Sequence, residues 1–234
     1  MRNGFFLFPL LLLLVASSYF HHEERPLRER RCNLDAILDT RIQEFNLNNE
    51  TIEVGLKRLA TGATVFAMGF EHELKSKLTD PPIPDPRLTL HLKMVTVRET
   101  LDAMCRSDAR YTWSTDETFV NVYPSETAND ASYLLNRKLK RLELKGLTDV
   151  QQGLLAIVNQ LPPPKEQVAI AQIGGAYSYP EEPWTMNDEN ITVRQAINRL
   201  VGHMGERGSW AFTGSKDFRT FAFSIQGFLF DSYN

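Results

Sequence analysis

Cysteine is scarce in this chain. Cys32 and Cys105 are the two thiols among 234 residues, too few for a disulfide scaffold, so any core must come from apolar packing. An excess of basic charge is also missing. The 26 lysines and arginines are outnumbered by 29 acidic residues, and the net charge of −3 argues against a general nucleic-acid binder. No apolar run reaches the roughly 20 residues that a membrane-spanning helix needs. Nucleophile-elbow, paired-carboxylate and zinc spacings are lacking, and Gly174-Gly175 follows a strand-like run without the surroundings of a phosphate loop, so it reads as a turn. These absences predict no catalytic residue, no metal ligand set and no cofactor.

The N-terminus carries a different signal. Arg2 precedes FFLFPLLLLLVA, Phe5 to Ala16, and the small residues Ala16 and Ser18 stand where a secretory leader would be cut. The expectation is a signal peptide over residues 1–18; the rival is an uncleaved anchor, which would be the chain's one link to a membrane. HHEERPLRERR then reads as a solvated stalk over residues 19–38.

One phrase occurs twice, as VTVRETLDAM at residues 95–104 and ITVRQAINRL at 191–200. Thr96 with Glu99, and Thr192 with Gln195, have the spacing of a helix capping box. Val97, Leu101, Met104 and Cys105 then share one helical face, as do Val193, Ile197, Leu200, Val201 and Met204, with Gly205 or Gly208 ending the second helix. Before the first copy, Leu88 to Met94 alternates as a half-buried strand. After it, YTWS and FVNVY are strands of a hairpin around Thr115-Asp-Glu. After the second copy, SWAF and FRTFAFS repeat that hairpin, and before it Trp184-Thr-Met186 suggests a strand.

The correspondence extends upstream. Ile42 to Leu47 and the stretch with Leu139, Leu142 and Leu144 read as strands. Ile52, Leu56, Leu59 and Ala60 line one helix, and Leu154, Leu155, Ile157 and Val158 belong to another, opened by a capping box at Thr148 and Gln151. Thr64 to Phe70 and Gln167 to Ile173 follow as strands. The offset between copies is 96 for Thr96 and Thr192, 97 for Trp113 and Trp210, and 98 for Gly55 and Gly153. A shared offset predicts a duplicated unit. The expected fold is α+β, two tandem βαββαββ domains at residues 39–124 and 137–226, with a linker at 125–136 and a tail at 227–234.

The segment LHLKMVTVRETLDAMCRSDARYTWSTDETFVNVYP, Leu90 to Pro124, resembles the second half of the secretin and TonB short N-terminal domain, the N0-like domain of secretins. The β-α-β-β-α-β-β order of residues 40–124 is that family's order, and residues 139–225 resemble a degenerate second copy. The resemblance implies a periplasmic or secreted protein-interaction module of the bacterial envelope, here in a duplicated, free-standing form. Its motif is a packing signature without catalytic residues. The partner it implies is an envelope protein or peptide, with no nucleic acid.

Candidate binding residues follow from two ideas. An exposed sheet edge can accept a partner strand, and the hairpin strands with Phe119, Val120 and Tyr123, and with Phe221 and Phe223, are the candidate edges. An aromatic loop can grip a peptide or sugar, and AYSYPEEPW offers Tyr177, Tyr179 and Trp184, although Trp184 is expected to cover its own core. The other function class is an envelope hydrolase or carbohydrate-binding protein with its site between the halves. His72, with Glu71 and Glu73 beside it, would need a partner and a cleft to act as an acid or base. His91 and His203 read as surface or capping residues, Cys105 as a core residue, and Trp113 and Trp210 as equivalent core residues. A Cys32–Cys105 disulfide is open to geometry alone.

Overall fold

The computed structural model describes residues 34–62, 66–73, 85–116, 118–161, 167–174, 183–203, 208–215 and 220–227. The apolar run Phe5–Ala16, Cys32, Tyr177 and Tyr179 lie outside them. No helix among the described residues is long and apolar enough to cross a membrane.

The chain is mixed α and β, and the element order βαββαββ occurs twice. After a helical turn at residues 34–38 come β1 (Arg41–Glu50), α1 (Ile52–Thr61), β2 (Ala67–Glu71), β3 (Leu88–Thr96), α2 (Val97–Ser107), β4 (Tyr111–Asp116) and β5 (Phe119–Pro124). The second series is β6 (Lys138–Leu147), α3 (Val150–Asn159), β7 (Gln167–Gly174), β8 (Trp184–Thr192), α4 (Val193–Gly202), β9 (Gly208–Ser215) and β10 (Thr220–Gly227). Between the series, where a loose linker is expected, two 3₁₀ turns, Ser125–Thr127 and Leu134–Asn136, bury Thr127, Leu134 and Leu135. This connection is part of the core.

Local chemistry explains the helix starts. The Thr96 hydroxyl accepts from the Glu99 N–H at 3.1 Å while the Glu99 carboxylate accepts from the Thr96 N–H at 2.7 Å. Thr192 and Gln195 repeat the exchange at 3.2 and 2.9 Å. Each box satisfies two backbone donors that the first helical turn would otherwise leave unpaired. The expected box at Thr148 is displaced by one residue: Asp149 is the cap and accepts from the Gln152 N–H at 2.8 Å. A carboxylate there also meets the positive end of the helix dipole. Helix α4 ends earlier than expected, at Gly202 with His203 as its cap, and Gly208 opens the next strand.

The two series share further backbone signatures. Strand β1 pairs antiparallel with β3, and β6 with β8, and each first strand has a register shift near its end. Positive φ occurs beside those shifts, at Asn49 (57°) and Gly146 (64°), and two residues before the helix caps, at Met94 (55°) and Asn190 (56°). Gly55 and Gly153 are both sites of close approach. A Cβ would lie 2.7 Å from Leu47 in the first case and 2.2 Å from Leu200 in the second.

The remaining strands form one six-stranded sheet in the order β4-β5-β2-β9-β10-β7. Strand β2 runs parallel to β5 on one side and to β9 on the other. Two apolar cores lie against this sheet. Met68, Phe70, Val120 and Val122 belong to the core with α1 and α2, whereas Ala67, Phe119, Trp210 and Phe212 belong to the core with α3 and α4. Strands β2 and β5 are therefore covered on both faces, which is why their sequences lack the alternation of a half-exposed strand. Each fully buried leucine or phenylalanine contributes about 1.5–3 kcal/mol of transfer free energy.

Candidate protein-interaction surface

The most specific chemistry among the described residues is where β2 meets β9. The parallel register places Met68 beside Ser209, Gly69 beside Trp210, Phe70 beside Ala211 and Glu71 beside Phe212. The Trp210 indole lies over Gly69 so closely that a Cβ there would be 2.4 Å from Trp210 Cζ2. Glycine is required at this position because no larger residue leaves room for the ring. The indole N–H donates to Asn198 Oδ1 at 2.8 Å, and Asn198 Nδ2 donates to Asn121 Oδ1 at 3.1 Å and to Asp116 Oδ2 at 3.2 Å. This chain of polar groups links α4 and β9 to β4 and β5.

Two residues along β2, Glu71 is fully buried and receives a two-pronged hydrogen bond from Arg194, at 2.5 Å from Nε and 3.1 Å from Nη2. Arg194 Nη1 donates to Asn136 Oδ1 at 2.6 Å, and its guanidinium lies 4.6 Å from the centre of the Tyr123 ring. Burial pushes the Glu71 carboxyl up from its ordinary value, and the Arg194 hydrogen bond and charge oppose that rise. Burial pulls Arg194 down, but its bond to Glu71, the Glu71 charge and the nearby Tyr133 and Tyr123 together outweigh this and push it up from its ordinary value, so it stays a cation. The fork geometry ties β2 to helix α4 in one orientation as well as neutralising the charge.

Both ends of the six-stranded sheet are single-partner strands. Strand β4 pairs with β5 alone among the described residues, and β7 with β10 alone. On the β4 side, Trp113 is partly buried and its indole N–H donates to Asp102 Oδ1 at 2.8 Å. Arg98 sits 6.0 Å from the Trp113 ring centre and 3.2 Å from Asp39.

Several expected site residues fall elsewhere. The strands proposed as edges, β5 with Phe119, Val120 and Tyr123 and β10 with Phe221 and Phe223, are interior, each hydrogen-bonded to strands on both sides. Phe119 and Val120 are buried, and Tyr123 is half-buried beneath Arg194. For β5 the physical reason is that a nearly continuous apolar run suits the centre of a sheet, where an edge would expose it. Trp184 is buried and stacks on His203 at 5.2 Å between ring centres. Trp210 is a core residue as expected, but Trp113 lies toward the surface of the outer strand. His72 lies 3.9 Å from Glu53, and His91 meets Asn46 at 3.0 Å. Cys105 is a free thiol packed against the first core, and burial, followed by Asp102 and Asp108, pushes its pKa up to about 12. Such a thiol is a poor nucleophile at neutral pH.

Sequence reasoning missed Gly69, Asn198 and both arginines of the repeated phrase, and found Glu71 only as a neighbour of His72. The signal was present: Arg98 and Arg194 occupy the same place in VTVRET and ITVRQA, and charged residues repeated beside an apolar stripe invite a search for their partners. Comparison with protein-family models, with curated proteins and with solved structures finds no match to this chain.

Proposed function

We propose that this protein is a non-enzymatic interaction module of the bacterial envelope, built from two tandem domains like the short N-terminal domain of secretins and TonB-dependent transducers. It acts in the periplasm or outside the cell, after removal of a signal peptide over residues 1–18, and binds a protein or peptide through a sheet edge. The observation that carries this reading is the β2–β9 joint. There, one half of the chain already holds an edge strand of the other by parallel pairing, a glycine seat for Trp210 and the Glu71–Arg194 fork. Proteins that recognise extended segments by strand addition use these same elements, main-chain pairing for affinity and alternate side chains for specificity.

The alternative, a hydrolase or carbohydrate site between the halves, gains no support from the joint. The space between them is filled by Trp210, Phe212 and Phe119, and Glu71 is closed off from solvent. A carboxyl that no substrate can reach cannot act as its acid or base.

The test is site-specific photo-crosslinking in cells that export the full chain. A photoreactive residue at Thr115 on β4, or at Gln172 on β7, is expected to give a reproducible adduct with one envelope protein. Failure to form an adduct at both edges, with the protein correctly exported, would remove this reading.

A further inference from the structure

The two copies of the repeated phrase present one surface in two states. In the second half, Arg194, Asn198 and Trp210 form a row in which the indole N–H is held by Asn198, and strand β2 covers that row. In the first half the matching residues are Arg98, Asp102 and Trp113, and the indole N–H is held by Asp102 at the same 2.8 Å. Among the described residues no strand pairs with the outer edge of β4. The Arg98 side chain is 41% exposed, and it is met by two carboxylates that are themselves exposed, Asp35 at 3.6 Å and Asp39 at 3.2 Å. Arg194, by contrast, is 13% exposed and is held by the fully buried Glu71.

We infer that the outer edge of β4 is a second strand-docking site, and that the covered joint shows which ligand it takes. The ligand is an extended segment of another protein that runs parallel to β4 in the pattern apolar–glycine–apolar–acidic. Its glycine lies beside Trp113, because only glycine leaves space for the indole that stands over Gly69 in the covered copy. Its carboxylate, two residues on, meets Arg98 in place of Asp35 and Asp39, as Glu71 meets Arg194. The model for the ligand is Met68-Gly69-Phe70-Glu71. The inference rests on the strand-edge reading of function and narrows it to one edge and one class of sequence.

A second copy of this chain is a poor occupant. Its free edge is β7, and the two sheet registers align Ile173 with Phe70, since Ile173 pairs with Ile225 beside Trp210 as Phe70 pairs with Val122 beside Trp113. Strand β7 then carries Gln172 where β2 has Gly69, and Gly174 where β2 has Glu71. It offers neither the glycine seat nor the carboxylate. The exchange of Asn198 for Asp102 points the same way. An uncharged amide suits permanent burial, whereas a carboxylate suits a face that returns to water, so docking at β4 is reversible.

The probe is a labelled synthetic peptide of residues 64–72, TVFAMGFEH, titrated into the full-length protein by fluorescence anisotropy. Saturable binding is expected. It should weaken about tenfold or more when the peptide glutamate becomes lysine, as a charge-assisted hydrogen bond implies. A valine in place of the peptide glycine should abolish it. Arg98→Glu in the protein should weaken the native peptide and restore the lysine peptide. Binding that survives Arg98→Glu unchanged would place the peptide in the β2–β9 joint by exchange and overturn the inference. So would the absence of binding, or indifference to the glycine. An adduct at Gln172 together with no peptide binding at β4 would sink this inference while leaving the strand-edge function standing. Silence at both crosslinking positions would remove the broader reading too.

Discussion

At the scale of single residues, Met94 has a high intrinsic cost and little evident return. Its φ of 55° lies in the left-handed region, and it is 61% exposed. The side chain of an L-residue is strained there, by about 1–2 kcal/mol for most residues and less for asparagine. The matching position in the second half, φ 56°, is filled by Asn190. Met94→Asn should therefore raise the stability of the protein by about 0.5–1 kcal/mol, because it relieves strain and gives up little packing. Urea unfolding measures this; a loss of stability would mean that Met94 has a packing role its exposure does not suggest. The sequence shows Met94 only as the last apolar member of an alternating strand. Nothing local distinguishes a strained position from a relaxed one, and the clue is visible only when the two copies are set side by side.

At the scale of elements, most of the architecture was legible because it is determined locally. A capping threonine, an acid or amide three residues on, and an apolar stripe place α2 and α4 from sequence alone, and alternation places β3. The Thr192 hydroxyl accepts one of the first-turn donors of α4, so Thr192→Ala should cost about 1 kcal/mol. Thr192→Ser should recover most of that loss, since it keeps the oxygen, and Thr192→Asp should as well. Thermal unfolding followed by circular dichroism would separate the three. Legibility failed where an element's identity depends on its neighbours. Strand β8 runs from Trp184 to Thr192, well beyond the recognisable Trp184–Met186, because Asn187, Asp188 and Glu189 are polar residues held in extended form by pairing with β6. Membership of a hairpin makes Phe119–Tyr123 a candidate edge, but a hairpin strand can equally lie inside a sheet. The near-continuous apolar character of this run was the sign that both faces would be covered.

At the scale of the whole molecule, none of the joint could be read from local pattern, since Glu71 and Arg194 are 123 positions apart. The question is what so costly a pair does. Moving two charges out of water carries a penalty that their attraction barely offsets, so a buried pair often adds little net stability over an apolar replacement. It does discriminate between alignments. Strand β2 can slide against β9 by two residues and keep its faces, because side chains alternate with a period of two. Such a slide would move Gly69 from beneath Trp210 and Glu71 from Arg194, leaving a blocked indole and two unpaired charges. The glycine and the ion pair together thus fix the register in which the halves join. Removing one partner should be far worse than removing both. Glu71→Ala strands a buried guanidinium and should cost about 3–5 kcal/mol. Glu71→Met combined with Arg194→Met should recover most of that stability. If register is what the pair supplies, the double variant should nonetheless lose fidelity at the joint: a disulfide designed between β2 and β9 in the native register should form more slowly in it, and one designed two residues out of register should form measurably for the first time. Equal stability with unchanged cross-linking would show that Gly69 and Trp210 set the register without help from the charges.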